Sequence, residues 1–139
     1  MNAPKLKLSD IKFKAVIVGA IVDNAGTLFF MTLLAAALVS RGLSEDEVMS
    51  RMKSESGLLL GLIIGLGNTV LGAYIAGRMA RNAERVHGAL VAVIGMVVAL
   101  IFRESGVPAW FDIAGFAAML PAGLFGGHLA QKRRERAGT

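Results

Sequence analysis

Between Gly57 and Arg78 the chain reads GLLLGLIIGLGNTVLGAYIAG, 21 residues without a charge. A helix of that length covers about 30 Å, the thickness of a bilayer's hydrocarbon core. Three further runs have the same character: Ala15–Val39, Val86–Phe102 and Ala109–Ala130. The remaining sequence is too short to bury four such stretches. Hydrophobic residues make up 55% of the chain and the mean hydropathy is +0.61, more than a soluble core requires. The charged residues, 18% of the total, fall in blocks between the runs. Lipid is the solvent that fits this layout. The expected fold class is all-α: a polytopic membrane protein whose residues 1–139 form one integral membrane domain. Its four transmembrane helices, at about 12–40, 57–80, 86–103 and 109–131, are expected to form an antiparallel bundle with small-residue packing faces.

Local signals punctuate these helices. Ser9 or Asp10 is placed to cap the first and Gly42 to end it in the left-handed conformation. The basic amino-terminal segment and the small residues Ala35–Ala37 could belong to a signal peptide. The apolar run before them is about twenty residues, longer than the usual 7–15, so an uncleaved anchor is expected. Ser44 and Glu47 have capping-box spacing, with Leu43 and Val48 placed as a hydrophobic staple. A short helix at about 45–54 follows, with Val48, Met49 and Met52 on one face, and is expected on the membrane surface. The short link from Arg78 to His87 makes the second and third spans antiparallel neighbours. Gly106 and Pro108 turn the chain, Trp110 and Phe111 suit an interface, and Pro121 predicts a kink. The tail from Gln131 is expected to fray.

Eleven of the 15 basic residues lie in the amino-terminal segment (Lys5, Lys7, Lys12, Lys14), the middle link (Arg78, Arg81, Arg85) and the tail (Lys132, Arg133, Arg134, Arg136). The positive-inside rule then puts both termini in the cytoplasm, and an even number of spans requires both ends on one side. The net charge of +5 and pI of about 10.1 do not point to nucleic acid, because the basic residues flank apolar spans and lack interleaved aromatics. Anionic lipid headgroups are the expected partners of Arg78, Arg81, Arg85, Lys132 and Arg133. There is no cysteine, which excludes disulfides, thiol catalysis and thiolate metal sites.

Helices in lipid associate by close backbone approach and polar contacts, so small residues are the informative positions. Gly19 in the first span, Gly57, Gly61, Gly65 and Gly72 in the second, Gly95 in the third and Gly126 in the fourth stand on stripes spaced by three or four residues. The second stripe resembles a glycine zipper. An aspartate within a span costs about 2.5–3.5 kcal/mol on insertion scales, so Asp23 should face the bundle and have a partner. From Lys14 to Asp23 is nine residues and from Asn68 to Arg78 is ten, which puts Asp23 and Asn68 nearly level. With Thr27 one turn away, Asp23 and Asn68 form an expected midplane polar layer. It serves either as a proton or cation relay or substrate contact, or as a hydrogen-bonded pair that sets helix packing.

No Gly-x-Ser-x-Gly, His-Glu-x-x-His or phosphate-cradling loop occurs, so no catalytic residue, cofactor or metal is expected. His87 and His128 lack a helical partner at metal-ligand spacing and read as interfacial, Tyr74 as a belt residue, and Asp112 as complementing a helix dipole. The run LGAYIAGRMARNAERVHGALVAVIG, with Gly72, Tyr74, Ala76, Gly77, Arg78, His87 and Gly88, resembles small uncharacterised bacterial inner-membrane proteins of four helices. That resemblance implies a multi-pass protein of the bacterial cytoplasmic membrane and no particular site. The expected function is a non-enzymatic bundle that self-associates as a homo-oligomer or binds another membrane protein. The alternative is a small channel or transporter-like protein using the polar layer.

Overall fold

Hydrogen-bonded caps, set by a few local residues, define the first connection. The structure, a computed structural model, describes residues 10–103 and 105–138; Lys5, Lys7, Ser9 and Glu104 lie outside the described residues. Helix α1 (Phe13–Ser40) ends in a Schellman motif: Gly42 N–H donates to Val39 O at 2.9 Å and Leu43 N–H to Leu38 O at 3.4 Å. Gly42 makes this possible at φ +88°. Ser44 then caps α2 (Glu45–Lys53) through the full reciprocal box, its N–H donating to Glu47 Oε2 at 2.8 Å. Ser54 ends α2 and caps α3 (Glu55–Ala80), its hydroxyl accepting from Gly57 N–H at 3.3 Å. Helices α4 (Glu84–Ile101) and α5 (Ala109–Ala137) complete the chain. Among the described residues four helices, α1, α3, α4 and α5, are long and apolar enough to cross a membrane. Large apolar side chains such as Ile17, Phe29, Ile63, Val97 and Phe125 face outward, as lipid requires. The chain is an all-helical, multi-pass membrane protein.

Antiparallel register is written in the contacts. Gly19 meets Gly72, and Gly26 meets Asn68, so α1 and α3 run in opposite directions; Gly88 meeting Gly123 and Gly95 meeting Met119 do the same for α4 and α5. Among the described residues α3 touches every other helix, whereas α1 and α5 do not touch each other. The four spans therefore form a rhombus with α3 and α4 as its short diagonal.

Glycines permit the closest approaches. A Cβ on Gly19 would stand 2.6 Å from Gly72 O, and one on Gly123 would stand 2.5 Å from Gly88 O. Gly126 and Gly127 lie as close to the backbones of Val70 and Glu84. These contacts crowd the end that carries both termini, where Ala73, Ala76, Ala80, His87, Val91, Ala92 and Ala130 are buried. Toward the other end the helices part. Gly61 meets only the tip of Met31 at 3.5 Å, and nothing lies within 4 Å of a Cβ on Gly65. Gly65 is thus not a packing residue: the stripe departs from its contact face where α1 and α3 diverge. Gly57 packs, but against the backbone of Arg51 and Met52 at the corner between α2 and α3.

The α3–α4 turn is made without glycine. Arg81 and Ala83 adopt φ of +60° and +44°, which is unfavourable for residues with a Cβ. One tertiary bond and two local ones offset this: Arg134 of α5 donates to Arg81 O, and Ala83 O, the N-cap carbonyl of α4, receives the N–H of Val86 at 2.9 Å and of His87 at 3.2 Å. The same Arg134 shows why the tail does not fray at about 131 as expected. Helix α5 continues to Ala137, held by an Arg134–Glu84 ion pair at 3.1 Å, an Arg133–Tyr74 bond at 3.0 Å and a Gln131–Glu135 bond at 2.9 Å. It also runs unbroken through Pro121. Asp10 does not cap α1; Lys12 is the N-cap residue and makes no side-chain cap.

The packing contrast gives a direct test. Gly72→Ala should lower stability by about 1–3 kcal/mol through overpacking, whereas Gly65→Ala should raise it by up to about 1 kcal/mol through helix propensity. Thermal midpoints of the purified variants in one detergent would show equal shifts if the two sites were alike. A second expectation concerns Glu47, whose carboxyl is held below its usual pKa by bonds from the Ser44 N–H and hydroxyl. A lowered pKa means the cap contributes above the ordinary carboxylate range and is lost as pH falls through the lowered value. Amide exchange in α2, referenced to α3, should therefore rise at acidic pH in the native chain and not in Glu47→Gln, which lacks that titration.

Candidate functional site

Where the four spans part they enclose a cavity of about 710 Å³. Its floor is Asp23 of α1, Thr69 of α3 and Gly95 of α4, and its mouth is Arg103, Phe111 and Asp112. The lining on α5 runs from Phe111 to Met119, which at 1.5 Å per residue makes it about 12 Å deep. Leu28, Leu62, Leu66, Val98 and Phe116 make its walls apolar. Below the floor, toward the termini, buried Val91, Ala76 and His87 close the bundle.

Asp23 is buried, and Thr69 reaches it across the α1–α3 contact: the Thr69 hydroxyl donates to Asp23 Oδ1 at 3.1 Å. That hydroxyl has one proton and a second acceptor at the same distance, Gly65 O. Asp23 Oδ2 has no hydrogen-bond partner among the described residues. It lies 3.0 Å from where a Cβ on Gly95 would stand, so only glycine there leaves the carboxylate its space. The acid consequently reaches the cavity with more acceptor capacity than the protein fills, and no cation of the cavity floor answers it. Arg103, at the mouth, is engaged by Asp112 at 2.6 Å.

The expected polar layer is level but not joined as expected. Asn68 is buried and turned toward Gly26, its amide donating back to Ile64 O at 2.9 Å. Thr27 donates to Asp23 O at 2.9 Å, a bond within its own helix. Adjacent residues on a helix point about 100° apart, so when Gly72 is set against Gly19 and Asp23, it is Thr69 that faces Asp23 and Asn68 that does not. Thr69 was legible in sequence only as a neighbour of Asn68.

No family model, curated protein or solved structure matches the chain. Function is read from these side chains and from those at the opposite end of the bundle. There His87 is fully buried: its Nε2 accepts the Lys12 N–H at 2.9 Å, while Nδ1 donates to Ala83 O at 3.0 Å. A side chain of α4 thereby satisfies the first amide of α1. Glu84 is buried one turn earlier, paired with Arg134. Glu84 continues the stripe of Gly88, Ala92 and Gly95 by one helical turn, and that spacing was the available signal; His87 is adjacent to Gly88 and stands one turn before buried Val91. Arg85 pairs with His128 Nδ1 at 2.8 Å. Arg78 and Lys132 are exposed, as are Arg81 and Arg133. Among the described residues no group of three or more histidine, aspartate or glutamate side chains could hold a metal ion.

Thr69→Val keeps the shape and removes the one cross-helix donor to Asp23. It should lower stability by about 1 kcal/mol, in the range measured for interhelical bonds in membranes. Thr27→Val, which removes only a bond within its helix, should change it by less than about 0.5 kcal/mol. Denaturation of both variants in the same micelles compares them, and equal losses would deny Thr69 a special role.

Proposed function

We propose that the chain is a non-enzymatic, transporter-like membrane protein that takes a small lipophilic cation into the cavity, with Asp23 as its counter-charge. The observation that carries this reading is the buried, unpartnered Oδ2 of Asp23 at the floor of an apolar cavity. A volume of about 710 Å³ is the size of a site for a drug-sized molecule. Apolar walls favour a lipophilic body, and an acid without an internal cation favours positive charge. The cavity opens at one end and is closed at the other by Val91, Ala76 and the glycine contacts, as in a carrier facing one side rather than a continuous pore.

The membrane is proposed to be the bacterial cytoplasmic membrane, with both termini inside. The basic residues of the middle link and tail, and the resemblance of the Leu71–Gly95 run, support this. The cavity would then open to the outer side. Self-association through the glycine stripes has less support, because Gly19, Gly72, Gly95 and Gly126 are already filled by the chain's own helices. A second copy would have to dock on other residues.

The purified chain should bind tetraphenylphosphonium, read as quenching of Trp110, the single tryptophan, beside Phe111 at the mouth. Asp23→Asn preserves shape but cannot ionise, and should weaken binding at least about tenfold, the effect of losing one opposite charge near a bound cation. Equal affinity in the two proteins, or none in the native one, would refute the proposal.

A further inference from the structure

The cations at the terminal end divide into two kinds. Arg85 and Arg134 are engaged, the first by His128 and the second by buried Glu84 and the carbonyl of Arg81. Lys12, Arg78, Arg81 and Arg133 instead line a cleft of about 780 Å³. They arrive from three helices: Lys12 is the N-cap residue of α1, Arg78 and Arg81 are in the last turn and C-cap of α3, and Arg133 is on α5. No carboxylate lines the cleft, and none of the four cations is in an ion pair among the described residues. Four like charges brought together without a counter-charge repel one another, and an anion relieves that repulsion.

Two details narrow the anion. Arg133 donates one N–H to the Tyr74 hydroxyl at 3.0 Å, which orients the guanidinium and leaves its other donors for a ligand. Ile75 and Met79 share the lining with the cations, so the cleft is basic on one side and apolar on the other. Arg78 also follows directly on the uncharged run of α3, at the depth where a spanning helix meets the headgroups. A free phosphate would use the basic side alone. A phospholipid uses both.

We propose that this cleft binds an anionic phospholipid, its phosphate held by Lys12, Arg78, Arg81 and Arg133 and an acyl chain lying against Ile75 and Met79. The site is separate from the Asp23 cavity and does not depend on its role. It is narrower than a general attraction of basic residues to the surface, since it includes Lys12 and Tyr74 and leaves out Arg85.

Native mass spectrometry of the full chain, released from mild detergent with phosphatidylglycerol and phosphatidylcholine in equal amounts, tests it. One phosphatidylglycerol should remain bound in about tenfold preference. Arg78→Gln and Arg133→Gln should each reduce its retention about fivefold, the effect of one basic residue at an anionic surface. Arg85→Gln should leave retention unchanged. Arg78 is exposed and in no ion pair among the described residues, so its variant tests the cleft even if Arg133→Gln unsettles α5. Equal retention of the two lipids, or unchanged retention in Arg78→Gln, would overturn the proposal. Displacement of the lipid by excess inorganic phosphate would make the cleft a phosphate site and overturn it as well.

Discussion

Backbone touching backbone at Gly19–Gly72 and Gly88–Gly123 is the constraint from which the rest of the bundle follows. Lipid chains are as apolar as leucine, so nothing resembling hydrophobic collapse draws these helices together. Close packing at small residues must supply the attraction, and in this chain it does so in the half that carries the termini. Helices pinned at one end and bulky beyond it must diverge. In the other half Gly61 and Gly115 meet only the side chains of Met31 and Leu62, and Gly65 meets nothing, so no backbone contact closes it. The cavity is thus a consequence of where the tight contacts stop.

Asp23 stands at that boundary. One turn closer to the termini its carboxylate would meet the backbone of the glycine contact, and one turn farther it would stand in the open cavity. At its actual level Gly72 lies against its Cβ and Gly95 leaves room for Oδ2. The two glycines serve different ends: one draws a helix in, the other holds a space open. A buried acid with an unfilled oxygen is costly in a bilayer, and this one stands in the lining of the cavity.

The terminal end shows the opposite economy, with polar groups matched one to another. His87 accepts the first amide of α1 and returns a bond to Ala83, while Glu84 holds Arg134, which in turn bonds Arg81. Those joining Lys12 to His87 and those from Arg134 cross between helices, and together the bonds hold a three-residue turn in which Arg81 and Ala83 take left-handed dihedrals that residues with a Cβ do not favour. The cations left over from this network are the ones that gather in the cleft beside Tyr74.

Much of the fold was legible because lipid makes sequence pattern unusually informative. Uncharged runs of about twenty residues have few alternatives to spanning helices, and Gly42 and Ser44–Glu47 carry their turn and cap chemistry in their own side chains. Even the common level of Asp23 and Asn68 follows from counting residues. Rotation about the helix axis does not follow. Whether Asn68 or Thr69 faces Asp23, whether Gly65 packs or lines a cavity, and whether His87 is buried or exposed all depend on which stripe face meets which neighbour. A helix stripe can meet any of three others, and its sequence alone carries no preference among them. The sequence by itself determined the spans, the Gly42 and Ser44–Glu47 punctuation after the first of them, and the common level of Asp23 and Asn68, because those depend on local chemistry and length. Only the tertiary structure decided the pairing of Asp23 with Thr69, the cavity above them and the convergence of four cations, because these depend on contacts between helices distant in the chain.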